Sequence, residues 1–133
     1  MKKKIFIVDD EMMIREMYKD LFENSGYEVD LAANGKEALE KMDEKSYDMI
    51  LLDIMMPVMD GMTMLSNINK DTPQKKQGSL MVLTNASPSM FEEIKEKYAK
   101  NQKQRTGLQL VDCVVKSSIS PDELVEKIDK CVK

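Results

Sequence analysis

The sequence predicts an α/β domain built on a parallel sheet with helices packed on both faces. Three observations carry that prediction. Apolar runs without alternation recur at Ile5-Phe6-Ile7-Val8, Met49-Ile50-Leu51-Leu52 and Leu80-Met81-Val82-Leu83, as in strands covered on both sides. The segments that follow them carry apolar residues at helical spacing, so strand and helix alternate five times. At 133 residues, the chain 1–133 fits one domain that buries its core without disulfides or structural metal.

Taken in order, the first strand ends in Asp9-Asp10-Glu11. Ile14, Met17, Tyr18, Leu21 and Phe22 then mark a helix that Ser25-Gly26 stops. Residues 28–31 alternate polar and apolar, which suits a strand at or near a sheet edge. Asn34, with Glu37 three residues on, opens a helix whose inward side is Ala38, Leu39 and Met42. The strand ending at Leu52 delivers Asp53 to its tip, and Pro57 and Gly61 punctuate the loop beyond. Met64, Leu65 and Ile68 predict a helix that fades near Pro73 and Gly78, where the strand ending in Thr84 begins. Ser87-Pro88 opens a helix with Phe91, Ile94 and Tyr98 on one face. Its extension, 95–105, holds five basic residues against one acidic, and Gly107 ends it. Residues 108–115 form the fifth strand, ending in Lys116. Ser120-Pro121-Asp122-Glu123 starts the last helix with an N-cap, a first-turn proline and a capping-box glutamate. Its predicted inward face is Leu124, Val125, Ile128, Cys131 and Val132.

Composition narrows the function classes. A net charge of −4 argues against general nucleic-acid binding by the whole surface. No apolar run reaches membrane length, and the N-terminus is too short to read as a signal peptide. Cys113 and Cys131 show neither a disulfide framework nor metal spacing, so a reducing cytoplasm is expected. Histidine is absent, which removes imidazole bases, phosphohistidine within this chain and most zinc sites. Neither G-x-G-x-x-G nor a G-x-x-x-x-G-K-[ST] loop occurs, so nucleotide binding has no support. The thirteen methionines read as core filler, although the cluster from Met55 to Met64 also suits an adaptable surface.

In a parallel sheet all C-terminal strand tips lie along one edge, where open α/β sheets bind ligands. That edge should collect Asp9 and Asp10, Asp53, Thr84 and Lys116. Singly, each has an ordinary explanation, such as a turn-opening aspartate or a solvated lysine. Jointly, they place three carboxylates, one hydroxyl and one ammonium in one crevice. Clustered carboxylates call for a cation, and Mg²⁺ is the natural candidate. With that charge present, an aspartate can act as a nucleophile toward a phosphoryl group.

This set of residues, with Asp53-Ile54-Met55-Met56-Pro57-Val58-Met59-Asp60-Gly61, resembles the receiver domain of two-component response regulators, over essentially the whole chain. The resemblance implies a flavodoxin-like (βα)5 fold with strand order 2-1-3-4-5. It implies that Asp53 accepts a phosphoryl group from a sensor histidine kinase or a phosphotransfer protein. Asp10 and Asp53 would ligate Mg²⁺, with Asp9 acting through water and Met55 through its backbone carbonyl. Thr84 and Lys116 would meet the phosphoryl oxygens. Such a protein turns over no separate substrate but assists its own phosphorylation and dephosphorylation. It would act in the cytoplasm on a protein target through the 88–132 face, without direct contact to nucleic acid or membrane. No output domain follows the last helix in this chain, which fits a stand-alone regulator or a piece of a longer one.

The sequence departs from the family pattern at four places. Cys113 stands where an aromatic is frequent, which bears on the switch. Ser117 stands where proline is frequent, and Asn85 where a very small residue is usual, so the Lys116 loop and access to the pocket are expected to differ. The stretch from Thr84 to Lys116 is longer than usual, with the basic 95–105 segment as the excess. Two other readings stand beside the receiver. One is a pseudo-receiver that binds partners without phosphorylation, although no acidic pair, Asp or Lys is missing here. The other is an Mg²⁺-dependent phosphatase with an aspartate nucleophile, which would usually carry a second aspartate where Met55 stands.

Overall fold

The computed structural model describes residues 2–54, 78–85, 88–97 and 108–132. The side chains of Thr84, Pro88, Met90, Phe91 and Lys97 also lie outside the description. Five strands, β1 (Lys4–Val8), β2 (Glu28–Ala32), β3 (Met49–Leu52), β4 (Gly78–Thr84) and β5 (Leu108–Val115), form one sheet. All are parallel to their neighbours, in the order β2-β1-β3-β4-β5. This is the predicted flavodoxin-like arrangement, with a switch point beside β1. The alternating strand, β2, does lie at an edge.

Successive residues of a strand face opposite sides, so each strand feeds two cores. On one side Ile5, Ile7, Met49, Leu51, Met81 and Leu83 pack with Tyr18 and Phe22 of helix α1 (Met12–Asn24) and Leu124 and Ile128 of the C-terminal helix (Pro121–Val132). On the other, Phe6, Val8, Ile50, Leu52, Leu80 and Val82 meet Ala38 and Met42 of α2 (Gly35–Glu44) and Ile94 of α3 (Pro88–Lys97). The C-terminal helix is therefore α4 among the described residues.

The predicted helix ends appear as hydrogen bonds. Gly26, at φ 95°, lets its own N–H reach the Glu23 carbonyl at 3.1 Å while Tyr27 N–H reaches Phe22 at 3.0 Å. That pair of bonds is a Schellman stop, and a positive φ favours glycine there. The Asn34 side chain accepts from Glu37 N–H at 2.9 Å. Ser120 and Glu123 bond reciprocally, at 3.1 and 3.2 Å, as a full capping box.

Two expected core positions face outward. Met17 is 44% exposed, and with Met12 and Met13 it lies on the open side of α1. Cys131 is exposed, whereas Val125 and Val132 are partly buried against the core. Both are one step off the stripe that the sheet covers, because a helix turning every 3.6 residues buries only part of a generous apolar set. The helix expected around Met64, Leu65 and Ile68, the Tyr98 contact, and the basic segment beyond Lys97 fall outside the described residues. No described helix is long and apolar enough to cross a membrane.

Candidate functional site at the carboxyl edge of the sheet

Asp9 follows β1 directly and Asp53 follows β3. The ladder between those strands runs one residue past its last pair, because Asp53 N–H donates to the Val8 carbonyl at 2.9 Å. Asp9 N–H donates to Ala32 of β2 at 3.1 Å in the same way. The two carboxylates are thus held side by side by backbone bonds rather than by attraction between them. One oxygen from each of Asp9, Asp10 and Asp53 lies within 4.8 Å of the others. Asp9 and Asp53 are buried and Asp10 is exposed.

Lys116 reaches into this cluster from the end of β5. Its Nζ lies 2.6 Å from Asp9 Oδ2 and 3.0 Å from Asp53 Oδ2, with all three side chains less than a tenth exposed. Glu11 stands farther off, at 3.8 Å. A β-bulge makes this reach possible. Leu80 pairs with Leu110 but Met81 pairs with Asp112, so Val111 is an extra residue in β5. Before the bulge, Leu108 and Leu110 face the α2–α3 core. After it, Cys113 and Val115 do, while Val114 turns to the α1–α4 side. Lys116, two residues past Val114, therefore emerges on the side of Asp9 and Asp53. Without the extra residue every position beyond it would change face.

Charge in the crevice is unbalanced. Burial pushes the Asp9 carboxyl above its ordinary 3.8, outweighing the hydrogen bonds it accepts from Lys116 and Glu11 N–H. Burial would depress the Lys116 ammonium, but its bonds to Asp9 and Asp53 prevail and hold it above 10.5. Among the described residues Lys116 is shared between Asp9, Asp53 and, farther off, Glu11, and the site favours more positive charge.

The sequence-predicted residues fall as follows. Asp9, Asp10, Asp53 and Lys116 come together. Thr84 closes β4 as the partner of Val115, with its side chain outside the description. Met55 lies outside the described residues. Sequence reasoning missed Arg15, whose Nη1 donates to the Asp9 carbonyl at 2.8 Å from the first turn of α1. It also missed the use of Asn85, which is exposed and whose Oδ1 accepts from Ser117 N–H at 3.1 Å. The Lys116–Ser118 segment is a 3-10 turn, and no described peptide bond is cis. Cys113 is partly buried against the α2–α3 core.

The family model for the response regulator receiver domain matches residues 5–129. The chain belongs to the response regulator receiver family. Receiver domains are phosphoacceptors without turnover of a separate substrate, and they bind Mg²⁺ at an acidic cluster of this kind. This receiver is 43% identical over 77 residues to the chemotaxis protein CheY of Thermotoga maritima, which is 57% of this chain and 64% of that protein. It is 42% identical over 81 residues to the transcriptional regulatory protein ResD of Bacillus subtilis, 61% of this chain but 32% of ResD. The matched stretch thus spans less than two thirds of these relatives. Among solved structures, the response regulator TrrA of Thermotoga maritima, in complex with Mg(2+)-BeF, superimposes with a TM-score of 0.70 at 35% identity, over 97% of this chain and 98% of that one. CheY4 of Vibrio cholerae gives a TM-score of 0.78 at 28% identity, covering 98% and 99%.

Proposed function

We propose that residues 1–133 form one receiver domain that takes a phosphoryl group onto Asp53 from a phosphohistidine on a sensor histidine kinase or a phosphotransfer protein. The observation that carries this reading is a buried aspartate at a strand tip, held beside two more carboxylates and bonded to a lysine. The oxygen-only donor set of Asp9, Asp10 and Asp53 fits Mg²⁺, a hard ion that takes few carboxylates and keeps several waters. Bound there, the ion would supply positive charge for the phosphoryl oxygens. Asp10 and Asp53 would hold it directly, with the Met55 carbonyl. Asp9 would act through water, since Glu11 N–H occupies its Oδ1 and Lys116 its Oδ2.

The Asp53 carboxylate would attack phosphorus, forming a P–O bond as the donor's P–N bond breaks. Lys116, already 3.0 Å from Asp53, would follow the developing charge, and Thr84 would bond a phosphoryl oxygen. The new dianion would draw the ends of β4 and β5 toward it, which alters the 88–132 face. That face would contact a downstream protein rather than nucleic acid, in the cytoplasm. Met12, Met13 and Met17 stand exposed on α1, shortly after the acidic run, and would offer the donor an adaptable apolar surface.

The test is intact mass after incubation with Mg²⁺ and acetyl phosphate. The parent should gain one phosphoryl mass and Asp53→Ala none. Equal labelling of both proteins, or no labelling of the parent, would overturn the assignment.

A further inference from the structure

We propose that Asp53 chemistry in this receiver depends on a positioning residue, Asn85, which fixes the turn that carries Lys116. The proposal rests on the reading of Lys116 as the cation that meets the phosphoryl group. The last rung of the β4–β5 ladder is Thr84 with Val115, and beyond it the sheet cannot continue because Lys116–Ser118 coils into a 3-10 turn. A turn of this kind leaves its first N–H groups without partners, and the residue before it normally accepts from one of them. Val115 occupies that place and has no polar side chain, and no side-chain cap is made from it. Asn85 supplies the missing acceptor from one residue past the end of β4, its Oδ1 lying 3.1 Å from Ser117 N.

Lys116 is thereby held at both ends. Its Nζ is fixed by Asp9 and Asp53, and its backbone by a bond at the very next residue. The bond needs two residue types at once. A proline at 117 would have no N–H to give, and a small residue at 85 would have no oxygen to receive it. The serine and the asparagine are therefore one device rather than two separate departures. The same bond joins the residue after Thr84 to the residue after Lys116, so displacement of either strand end is passed to the other.

The experiment uses ¹⁵N-labelled full chain as parent, Asn85→Ala, Ser117→Pro and the double variant. Two quantities are read, amide exchange at Ser117 and the rate of Asp53 phosphorylation by acetyl phosphate with Mg²⁺. Asn85→Ala should speed Ser117 exchange and slow phosphorylation, each about fivefold, the factor a typical cap contributes. Ser117→Pro should slow phosphorylation similarly, and the double variant no more than either single one, because only one bond is lost. Losses that multiply to about twenty-five-fold would overturn the coupling, as would Ser117 exchange or a phosphorylation rate unchanged in Asn85→Ala. A parent that takes up no phosphoryl group refutes the receiver reading instead. In that event exchange of the Lys116 ammonium protons decides the positioning: faster in Asn85→Ala upholds it, and unchanged overturns it.

Discussion

Replacing Lys116 by methionine keeps most of the apolar stem and removes the ammonium, so it isolates the charge balance of the crevice. The contacts at 2.6 and 3.0 Å are each worth about 6 kcal/mol of Coulomb attraction at an effective dielectric near 20. Asp9 and Asp53, with oxygens no more than 4.8 Å apart, repel by at least about 3 kcal/mol on the same scale. Asp10 is exposed and adds a share that solvent screens. Removing the ammonium recovers its desolvation cost, which offsets part of the lost attraction. Losing one partner of a buried pair commonly costs about 3–5 kcal/mol, and that recovered cost points to the lower end. For a chain of 133 residues, about 3 kcal/mol corresponds to a fall in Tm of about 10 °C.

The assay is thermal unfolding by circular dichroism near neutral pH, in EDTA and in saturating Mg²⁺. In EDTA Lys116→Met should melt about 10 °C below the parent. Mg²⁺ should stabilise the variant more than the parent, because the ion then meets carboxylates that have lost the Lys116 ammonium. The sign of the pH effect follows from Asp9. A folded pKa above the unfolded value contributes stability that is present at low pH and lost as pH rises through the folded pKa. The deficit of the variant should therefore shrink on acidification toward pH 4. A Tm within about 2 °C of the parent in EDTA, or equal stabilisation of both proteins by Mg²⁺, would refute the reasoning.

Four further outcomes are expected. The parent should bind Mg²⁺ at roughly millimolar concentration, and Asp10→Asn should weaken that binding clearly; an unchanged titration would remove Asp10 from the metal set. The aspartyl phosphate should hydrolyse slowly for this family, because neither Met55 nor Ala86, two residues beyond Asp53 and Thr84, can orient water by hydrogen bonding. Loss of label from a Met55→Asn, Ala86→Glu variant that is no faster than from the parent would count against this account. Burial raises the Asp30 carboxyl, but hydrogen bonds from Tyr47 at 2.7 Å and Lys45 at 3.2 Å prevail and hold it below 3.8. Its stabilisation is thus present above pH 3.8 and lost as pH falls through the lower folded value. Tyr47→Phe should cost about 1 kcal/mol at neutral pH and move the Asp30 titration upward, read by NMR. Finally, Gly78 opens β4 at φ 146°, and a Cβ there would collide with the Tyr47 carbonyl oxygen. Gly78→Ala should cost about 2 kcal/mol or more in urea unfolding, and a neutral result would mean the backbone relaxes freely.

The sequence by itself determined the strand–helix order and the residues that stand at four strand tips. Continuous apolar runs, a reciprocal cap at Ser120 and Glu123, and the Ser25-Gly26 stop are local signals, because they express propensities and hydrogen bonds that span a few residues. Parallel pairing then brings Asp9, Asp53 and Lys116 to one edge whatever the details. The tertiary structure decided what those local signals cannot carry. Whether Met17 and Cys131 are covered depends on how much of each helix the sheet reaches. Which side of the sheet Lys116 leaves depends on the bulge at Val111, a pairing between β4 and β5 that the run 108–115 does not reveal. Asn85 and Ser117 are thirty-two residues apart, and no local pattern says that one oxygen completes the other's turn. Such contacts join segments remote in the chain, and only the closed sheet brings them within reach.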